Sequence, residues 1–220
     1  MWKSSPTLIS FSITNRNARV ARGARDGRLS LLGWGRSLWP LREIARREDE
    51  VASRLLAMVP HSQLWMADLG CGKGSAPSSV RRETCLGVDW SRRMVCASRY
   101  NKEGLALCAD LAALPLREHR FGLLLLIGVA EYWRDPEPLL RQVARLLARE
   151  GHLLLTVSPA GWHALFRRLL GSPVYIHKEE VLAGLFARCH LQVKARLNTP
   201  TQHLYLLTPS ATAGLNHPAD

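Results

Sequence analysis

The sequence predicts an α/β fold in which a doubly wound, mostly parallel β-sheet carries helices on both faces. From residue 64 onward, short apolar segments alternate with segments whose apolar residues recur at helical spacing. One apolar segment, Phe121–Ile127, is almost continuously hydrophobic, which is typical of a strand buried on both faces. Near the end, two apolar segments flank the turn-forming residues 198–201 and predict an antiparallel hairpin. Alternation of strands and helices within one domain predicts the parallel sheet, and the hairpin adds an antiparallel edge.

The individual elements follow from apolar spacing and from turn residues. A first helix is predicted over Ser37–Val59, because Leu41, Ile44 and Leu55 recur at helical spacing and Pro40 is placed to begin it. The predicted strands are Leu64–Leu69, Cys85–Asp89, Ala106–Ala109, Phe121–Ile127, His152–Val157, Leu191–Leu197 and His203–Thr208. The later predicted helices are Glu137–Arg149 and Lys178–Arg188.

The chain of 220 residues predicts one domain between two extensions. Residues 1–33 carry six basic residues against the single acid Asp26, so we expect a basic, flexible extension. Its composition fits an organelle transit peptide, an arm that contacts phosphates, or an extension without a role. The domain is predicted over residues 34–208, with a helical N-terminal cover at 34–60, and residues 209–220 are predicted to be a loose tail.

Composition indicates the cellular compartment and the kinds of partner that the protein can have. No apolar run approaches the roughly 20 residues of a membrane-spanning helix. The net charge of +12 is compatible with nucleic acid, anionic membrane surfaces or acidic small molecules as partners. The five cysteines form no C-x-x-C pair, which argues against a disulfide framework and a zinc ribbon, so we expect no metal site and a reducing compartment. The expected location is cytoplasmic, with membrane association as an addition and mitochondrial targeting through residues 1–33 as the alternative.

A glycine-rich turn follows the first predicted strand. Asp68 ends the strand, and Gly70, Gly72 and Gly74 come directly after it, with Cys71 as a small filler between them. Glycine has no Cβ, so the chain can turn tightly and let a ligand lie against the main chain. A helix is expected after the turn, with its N–H groups directed at the ligand. The pattern predicts a site for a nucleoside cofactor.

Two further acids end the next predicted strands. Asp89 lies 21 residues after Asp68, where a carboxylate can accept hydrogen bonds from both hydroxyls of a ribose. Asp110 follows the third strand, where an acid and the next backbone N–H can recognise the amino edge of an adenine. Because the carboxyl ends of parallel strands meet at one edge of a sheet, these acids predict a nucleoside lying across that edge.

Two other nucleotide motifs fit the glycine turn poorly. A phosphate-binding P-loop requires glycine where Ala67 stands, and Ser or Thr where Gly74 follows Lys73. A dinucleotide fingerprint requires Gly or Ala at position 75, where the chain has Ser75.

Taken together, these motifs resemble those of the class I S-adenosylmethionine-dependent methyltransferases, in particular their small-molecule, type 11-like branch. The resemblance covers roughly residues 60–207 and rests on the segments WMADLGCGKG, CLGVDWSRRMV, ALCADLAALPL and FGLLLLIGVAEYWRDPEPLLRQVARLLAREGHLLLTVS. It implies a Rossmann-like sheet of seven strands, the last one antiparallel, and S-adenosylmethionine as cofactor. The residues that it implies for cofactor binding are Asp68, Gly70, Cys71, Gly72, Gly74, Asp89, Trp90, Asp110, Leu111, Ile127 and Gly128.

Two single residues and one pair depart from the family pattern, and all lie away from the cofactor motifs. Gly122 stands where the family usually has Asp, and Tyr132 stands where it often has His. His190-Leu191 replaces the usual Gly-Phe pair before the sixth strand. These departures concern the substrate side of the domain.

A catalytic base is not required for every methyl transfer. The reaction is an in-line displacement at an activated methyl, so positioning supplies much of the acceleration, and a base is needed only for a weakly acidic acceptor. The candidates near the expected mouth of the site are Glu131, Tyr132, His163 and His177. In residues 162–170, five apolar residues at helical spacing surround two arginines, which fits a core helix, a lid over an apolar substrate or a helix at a membrane surface.

The predicted function is S-adenosylmethionine-dependent methyl transfer to a small, lipophilic acceptor such as a quinone, a lipid or a phenolic natural product. The expected partners are this apolar substrate and a peripheral membrane contact. An RNA methyltransferase is the first alternative; residues 128–132 lack the Asn/Asp-Pro-Pro-aromatic signature of enzymes that act on base amino groups. A non-catalytic partner subunit that binds the cofactor is the second.

Overall fold

The computed structural model describes residues 9–10, 39–60, 65–74, 76–100, 104–161 and 174–210. Its strands are β1 (Ile9–Ser10), β2 (Trp65–Leu69), β3 (Cys85–Asp89), β4 (Leu105–Cys108), β5 (Phe121–Leu126), β6 (Leu147–Val157), β7 (Leu191–Asn198) and β8 (His203–Pro209). Its α-helices are α1 (Trp39–Leu56), α2 (Arg92–Ala97), α3 (Glu137–Leu146) and α4 (Glu179–Arg188). Short 3-10 turns cover Arg82–Thr84 and Ala130–Tyr132.

The strands form one sheet in the order β1-β4-β3-β2-β5-β6-β8-β7. Strands β2 to β6 pair in parallel, and β8 runs antiparallel to both β6 and β7. The predicted sheet and its final hairpin are therefore confirmed. The order reverses between β2 and β5, which places a crevice at the carboxyl ends of these two strands.

An eighth strand extends this sheet at the β4 edge. Ile9–Ser10, which belong to the basic N-terminal extension, pair in parallel with residues 107 and 108 of β4. The pairing covers backbone groups that the edge of a sheet otherwise exposes.

Both faces of the sheet are buried under helices, as predicted. In β5, Leu124 and Leu126 belong to one buried cluster, and Leu123 and Leu125 belong to the other, because successive side chains of a strand point to opposite faces. The first cluster includes residues of α3 and α4, namely Leu139, Leu140, Val143, Leu146, Leu182, Leu185 and Phe186. The second includes Ala52 and Leu55 of α1.

The boundary between α3 and β6 differs from the prediction. The helix predicted over Glu137–Arg149 ends at Leu146, and the strand predicted from His152 already begins at Leu147. Leu147 is buried and pairs with Phe121 of β5 next to an irregularity in the register. Pairing with the sheet therefore overrides the helical pattern of residues 147–149. The departure at Gly122 lies at this irregularity.

Some predictions concern residues that the structure does not describe, including Ser75, His163, the segment 162–170 and the tail beyond residue 210. Within the described part of the chain, no helix is both long and apolar enough to cross a membrane. None of the five cysteines, all of which are described, forms a disulfide bond.

The departure at His190 has a consequence for stability. His190 follows α4 with a φ of 54°, in the left-handed region that favours glycine, and its N–H donates to the Ala187 carbonyl at 3.1 Å. A side chain in this conformation costs about 1 kcal/mol. Because the His190 side chain is exposed, we expect His190→Gly to raise the free energy of unfolding by about 1 kcal/mol, measured by urea denaturation. Gln192→Gly, in the extended β7, is the matched control and should lower it; a His190→Gly protein no more stable than the wild type would contradict the prediction.

Candidate active site

The glycine turn lies against the end of β3. Gly70, Gly72 and Gly74 have φ angles of 79°, 52° and 88°, all in the region where a side chain is strained. The N–H groups of Gly70 and Cys71 donate to the Val88 carbonyl at 2.7 and 2.9 Å. These two bonds fix the start of the turn at the carboxyl end of the neighbouring strand.

The glycines differ in what surrounds them. A Cβ on Gly70 would lie 2.5 Å from Cγ2 of Val129, so close packing requires glycine there. A Cβ on Gly72 or on Gly128, which has a φ of 66°, would meet nothing within 4 Å. The backbone at these two positions therefore faces open space, as a backbone that contacts a ligand must.

Asp89 joins the glycine turn to the following helix. Its Oδ2 accepts a hydrogen bond from the N–H of Gly72, and its Oδ1 accepts one from the N–H of Ser91, both at 2.9 Å. Ser91 in turn accepts from the N–H of Met94 at the start of α2. A carboxylate can accept about four hydrogen bonds, so a group placed in this way can hold the turn and bind ribose hydroxyls together.

Asp68 is buried and accepts a hydrogen bond from Tyr100. The Tyr100 hydroxyl donates to Oδ2 of Asp68 at 2.9 Å. Burial raises the pKa of Asp68 from 3.8 to about 7; the bond from Tyr100 opposes this rise, and the charge of Asp89 adds to it. A carboxyl group with this pKa can change its charge when a cationic ligand binds beside it.

Sequence reasoning missed Tyr100, which lies in a segment with no recognisable motif. The tyrosine is fully buried, and a Cβ on Gly87 would lie 2.5 Å from its ring. Gly87 in the middle of β3 was the available signal, because a glycine inside a strand often marks close approach by another group. It could not indicate which residue approaches.

Asp110 and its neighbours form a tight turn at the end of β4. Oδ1 of Asp110 accepts from the N–H of Ala112 at 3.0 Å, and Leu111 between them is buried. The N–H of Ala109 donates to the Asp89 carbonyl at 3.0 Å and so joins the ends of β3 and β4. Asp68, Asp89 and Asp110 therefore end adjacent strands at one edge of the sheet, as the sequence predicts.

The remaining predicted cofactor residues lie at the same edge. Trp90 directly follows β3, is partly buried, and its carbonyl accepts a weak hydrogen bond from the Cys108 thiol at 3.5 Å. Ile127 and Gly128 follow β5, and the N–H of Gly128 donates to Oγ1 of Thr156 at 2.8 Å. Thr156 is a second residue that sequence reasoning missed.

Two of the four candidate bases, Glu131 and His177, have hydrogen-bond partners within the described residues. Glu131 is only 1% exposed, and its Oε2 accepts from the N–H of Ser158 at 3.0 Å and from its hydroxyl at 2.9 Å. The Glu131 carboxylate thus connects the turn after β5 to the end of β6. Nε2 of His177 lies 3.2 Å from the Trp133 carbonyl. Tyr132 is partly buried in the same turn, and His163 lies outside the described residues.

The prediction of a helix after the glycine turn is wrong for the described residues. Residues 77–80 form one turn, in which the N–H of Val80 donates to the Pro77 carbonyl at 3.0 Å, and Arg82–Thr84 form a single 3-10 turn. Pro77 has no N–H to donate, and the N–H of Ser78 donates to Asp49 of α1 instead of a helix carbonyl. Within the described residues, backbone donors for a ligand therefore come from the turn itself and not from a helix N-terminus.

Comparisons with known proteins agree with this geometry. A methyltransferase domain family, Methyltransf_11, matches residues 67–155. No curated protein sequence matches the chain. The magnesium protoporphyrin IX methyltransferase from Synechocystis PCC 6803, solved with S-adenosylhomocysteine, is 19% identical with a TM-score of 0.58, over 76% of this chain and 83% of that one.

Two further solved structures have the same fold. The geranyl diphosphate C-methyltransferase from Streptomyces coelicolor A3(2), solved with Mg²⁺, geranyl diphosphate and S-adenosylhomocysteine, is 13% identical with a TM-score of 0.62, over 74% of this chain and 81% of that one. A Haloferax volcanii complex of the Trm112 methyltransferase activator with a methyltransferase gives 18% identity and a TM-score of 0.62, over 77% of this chain and 93% of that one. At these identities the structural likeness establishes the fold, and the family model identifies residues 67–155 as a methyltransferase domain. The chain therefore contains a methyltransferase domain with the class I fold, whose cofactor is S-adenosylmethionine.

Proposed function

We propose that this methyltransferase acts on a small, lipophilic acceptor such as a quinone, a lipid or a phenolic natural product. The observation that carries the proposal is a pair of exposed apolar side chains beside the site, Tyr175 and Ile176, which are 39% and 38% exposed. The N–H of Tyr175 donates to the Glu131 carbonyl at 2.7 Å, so this segment is held at the carboxyl end of β5. Large apolar side chains exposed near a cleft favour an apolar ligand.

The structural neighbours support the same substrate class. One is named for magnesium protoporphyrin IX and another for geranyl diphosphate, and both of these acceptors are small molecules. The sequence of residues 162–170, which combines apolar residues with two arginines, is compatible with a cover for an apolar substrate.

We assign the cofactor contacts to the residues at the carboxyl edge of the sheet. Asp68 and the turn Gly70–Gly74 would hold the methionine part, and Asp89 would hold the ribose. The adenine would lie between Trp90 and the turn of Asp110 and Leu111, with Ile127 and Gly128 lining the other side. When bound, S-adenosylmethionine supplies an activated sulfonium methyl group. These residues would fix its position, so that an acceptor in the adjacent cleft meets the methyl in line.

Methyl-labelled S-adenosylmethionine and the purified full chain test the acceptor class. Incubation with separate panels of quinones, phenols and lipids should place the label in a product that extracts into organic solvent. Label in added RNA instead would favour an RNA methyltransferase. The net charge of +12 is compatible with binding to RNA phosphates. Binding of S-adenosylhomocysteine without turnover on any panel, together with a stable co-purifying protein, would favour a partner subunit.

We propose that the protein works in a reducing compartment, the cytoplasm, in contact with a membrane surface. The absence of a disulfide among its five cysteines supports the compartment, and the apolar and basic residues of 162–170 support the contact. Fractionation of cells that make the full chain tests both points. Recovery in mitochondria would favour residues 1–33 as a targeting segment.

A further inference from the structure

The segment that follows the glycine turn is held from outside by helix α1. The N–H of Ser78 donates to Oδ1 of Asp49 at 2.7 Å, and the hydroxyl of Ser78 donates to Oδ2 of the same carboxylate at 2.6 Å. Both oxygens of one acid therefore bind one residue. Such a two-point contact fixes the orientation of the segment as well as its distance from α1.

Buried packing joins the same two parts of the protein. Ala52 and Leu55 of α1 belong to one buried cluster with Cys71 of the glycine turn and with Ala76 and Val80 of the following segment. The contact of Asp49 with Ser78 thus lies at the border of an apolar interface. Movement of α1 would disturb both.

Helix α1 is itself anchored to the turn between β7 and β8. Glu48, the residue before Asp49, accepts a hydrogen bond from the hydroxyl of Thr201. Thr201 lies in the turn between β7 and β8, next to His203, which pairs with Val157 at the carboxyl end of β6. Through α1, two adjacent acids therefore connect the segment after the glycine turn to the turn between β7 and β8.

Two carboxylates from different elements therefore hold the glycine turn and the segment that follows it. Asp89 binds Gly72 of the turn, and Asp49 binds Ser78 of the following segment. In the described residues 76–84, no α-helix supplies internal hydrogen bonds that would hold the segment in place. Among the described residues, Arg82 holds the segment from within by donating to the Ala76 carbonyl at 3.2 Å, and Asp49 provides charged hydrogen bonds from another element.

We infer that Asp49 is a positioning residue for cofactor binding, which acts by holding residues 76–80 so that the glycine turn keeps its ligand-binding shape. The inference rests on the proposed cofactor site. In the proposed site, Asp49 touches neither the cofactor nor the reacting atoms. It contributes through Ser78, so its loss should affect cofactor affinity more than the chemical step.

Calorimetric titration of the full-length protein with S-adenosylhomocysteine tests the inference. We expect Asp49→Ala to raise the dissociation constant about tenfold, because two charge-assisted hydrogen bonds are lost. Asp49→Asn should recover part of the affinity, since its amide oxygen can still accept from the N–H of Ser78. Glu50→Ala is the matched control on the next position of α1, where the described side-chain contact is with Arg46, and it should bind as the wild type does.

Ser78→Ala tests the same contact from the other side with a smaller change to the fold. It should weaken binding by about threefold. The double variant Asp49→Ala, Ser78→Ala should bind no more weakly than Asp49→Ala alone, because the hydrogen bond that Ser78→Ala removes is already lost in Asp49→Ala. With a labelled acceptor, the KM for S-adenosylmethionine should rise while kcat changes little.

Two results would overturn the inference while the cofactor site stands. One is a dissociation constant within twofold of the wild type for both Asp49→Ala and Ser78→Ala. The other is an equal loss of affinity in Glu50→Ala, which would indicate a general effect of α1. Failure of the wild-type protein to bind S-adenosylhomocysteine would instead overturn the proposed cofactor site, and the inference with it.

Discussion

Replacement of Asp89 by alanine is expected to weaken binding of S-adenosylhomocysteine about 100-fold or more. The carboxylate accepts from Gly72 and Ser91, so its loss frees the centre of the glycine turn and the start of α2. The proposed hydrogen bonds to the ribose are lost as well. Each charge-assisted hydrogen bond contributes roughly 1.5–3 kcal/mol, and the loss of one such bond to the ligand, together with the disordered turn, accounts for this factor. Calorimetric titration of the purified full chain measures it.

Two further variants separate the charge of Asp89 from a general loss of structure. Asp89→Asn keeps one acceptor oxygen but presents an amide N–H₂ to one of the two backbone donors, so its affinity should fall between those of the alanine variant and the wild type. Glu118→Gln removes an exposed carboxylate that pairs with Arg145, and it should bind normally. An Asp89→Ala protein that folds and still binds with wild-type affinity would refute the ribose assignment.

The strand ends were predictable because each depends on a local pattern. An apolar run followed by glycines or an acid indicates where β2, β3 and β4 stop, and parallel strands bring Asp68, Asp89 and Asp110 to one edge without knowledge of any long-range contact. The final hairpin follows in the same way from apolar segments around turn residues. The position of these three acids at one edge of the sheet was therefore predictable from short windows of sequence.

The contacts that the sequence did not indicate join residues distant along the chain. Tyr100 reaches Asp68 from the far end of the segment after α2, and Asp49 reaches Ser78 from helix α1. The expected helix after the glycine turn fails for a related reason. Ser78 finds its hydrogen-bond partner in another element, and Pro77 lacks a donor, so the local expectation of a helix gives way to tertiary contacts.

Asp68 is expected to make the stability of the protein fall as pH rises. Its pKa is raised by burial to about 7 in the folded state, against an ordinary value of 3.8. The folded protein therefore keeps a proton that the unfolded chain releases, so this contribution is complete below pH 4 and is lost as pH rises through about 7. Asp68→Asn cannot ionise. We expect the two proteins to be about equally stable below pH 4, and the variant to become more stable as pH rises, by a few kcal/mol at pH 8.

Urea denaturation of both proteins at several pH values measures this difference. The comparison is needed because other groups titrate as well: burial lowers the pKa of His152 and of His203, which makes stability rise with pH in that region. Subtraction of the wild-type curve of unfolding free energy against pH from that of Asp68→Asn isolates the contribution of the Asp68 ionisation. Tyr100→Phe removes the hydrogen bond that favours the ionised form, so it should move the transition to higher pH. Parallel curves for wild type and Asp68→Asn would refute the raised pKa.

The ionisation of Asp68 should also make cofactor affinity depend on pH, but affinity should rise with pH where stability falls. The methionine part of S-adenosylmethionine carries an ammonium group, and a neighbouring cation favours the charged form of a carboxyl group. Binding should therefore tighten as pH rises from 6 to 8 in the wild type, whereas Asp68→Asn should bind weakly with little dependence on pH. An acid that lowers stability at the pH where it strengthens binding is retained for the ligand and not for the fold. Opposite slopes of stability and affinity would thus distinguish a cofactor residue from a buried acid that only closes a strand.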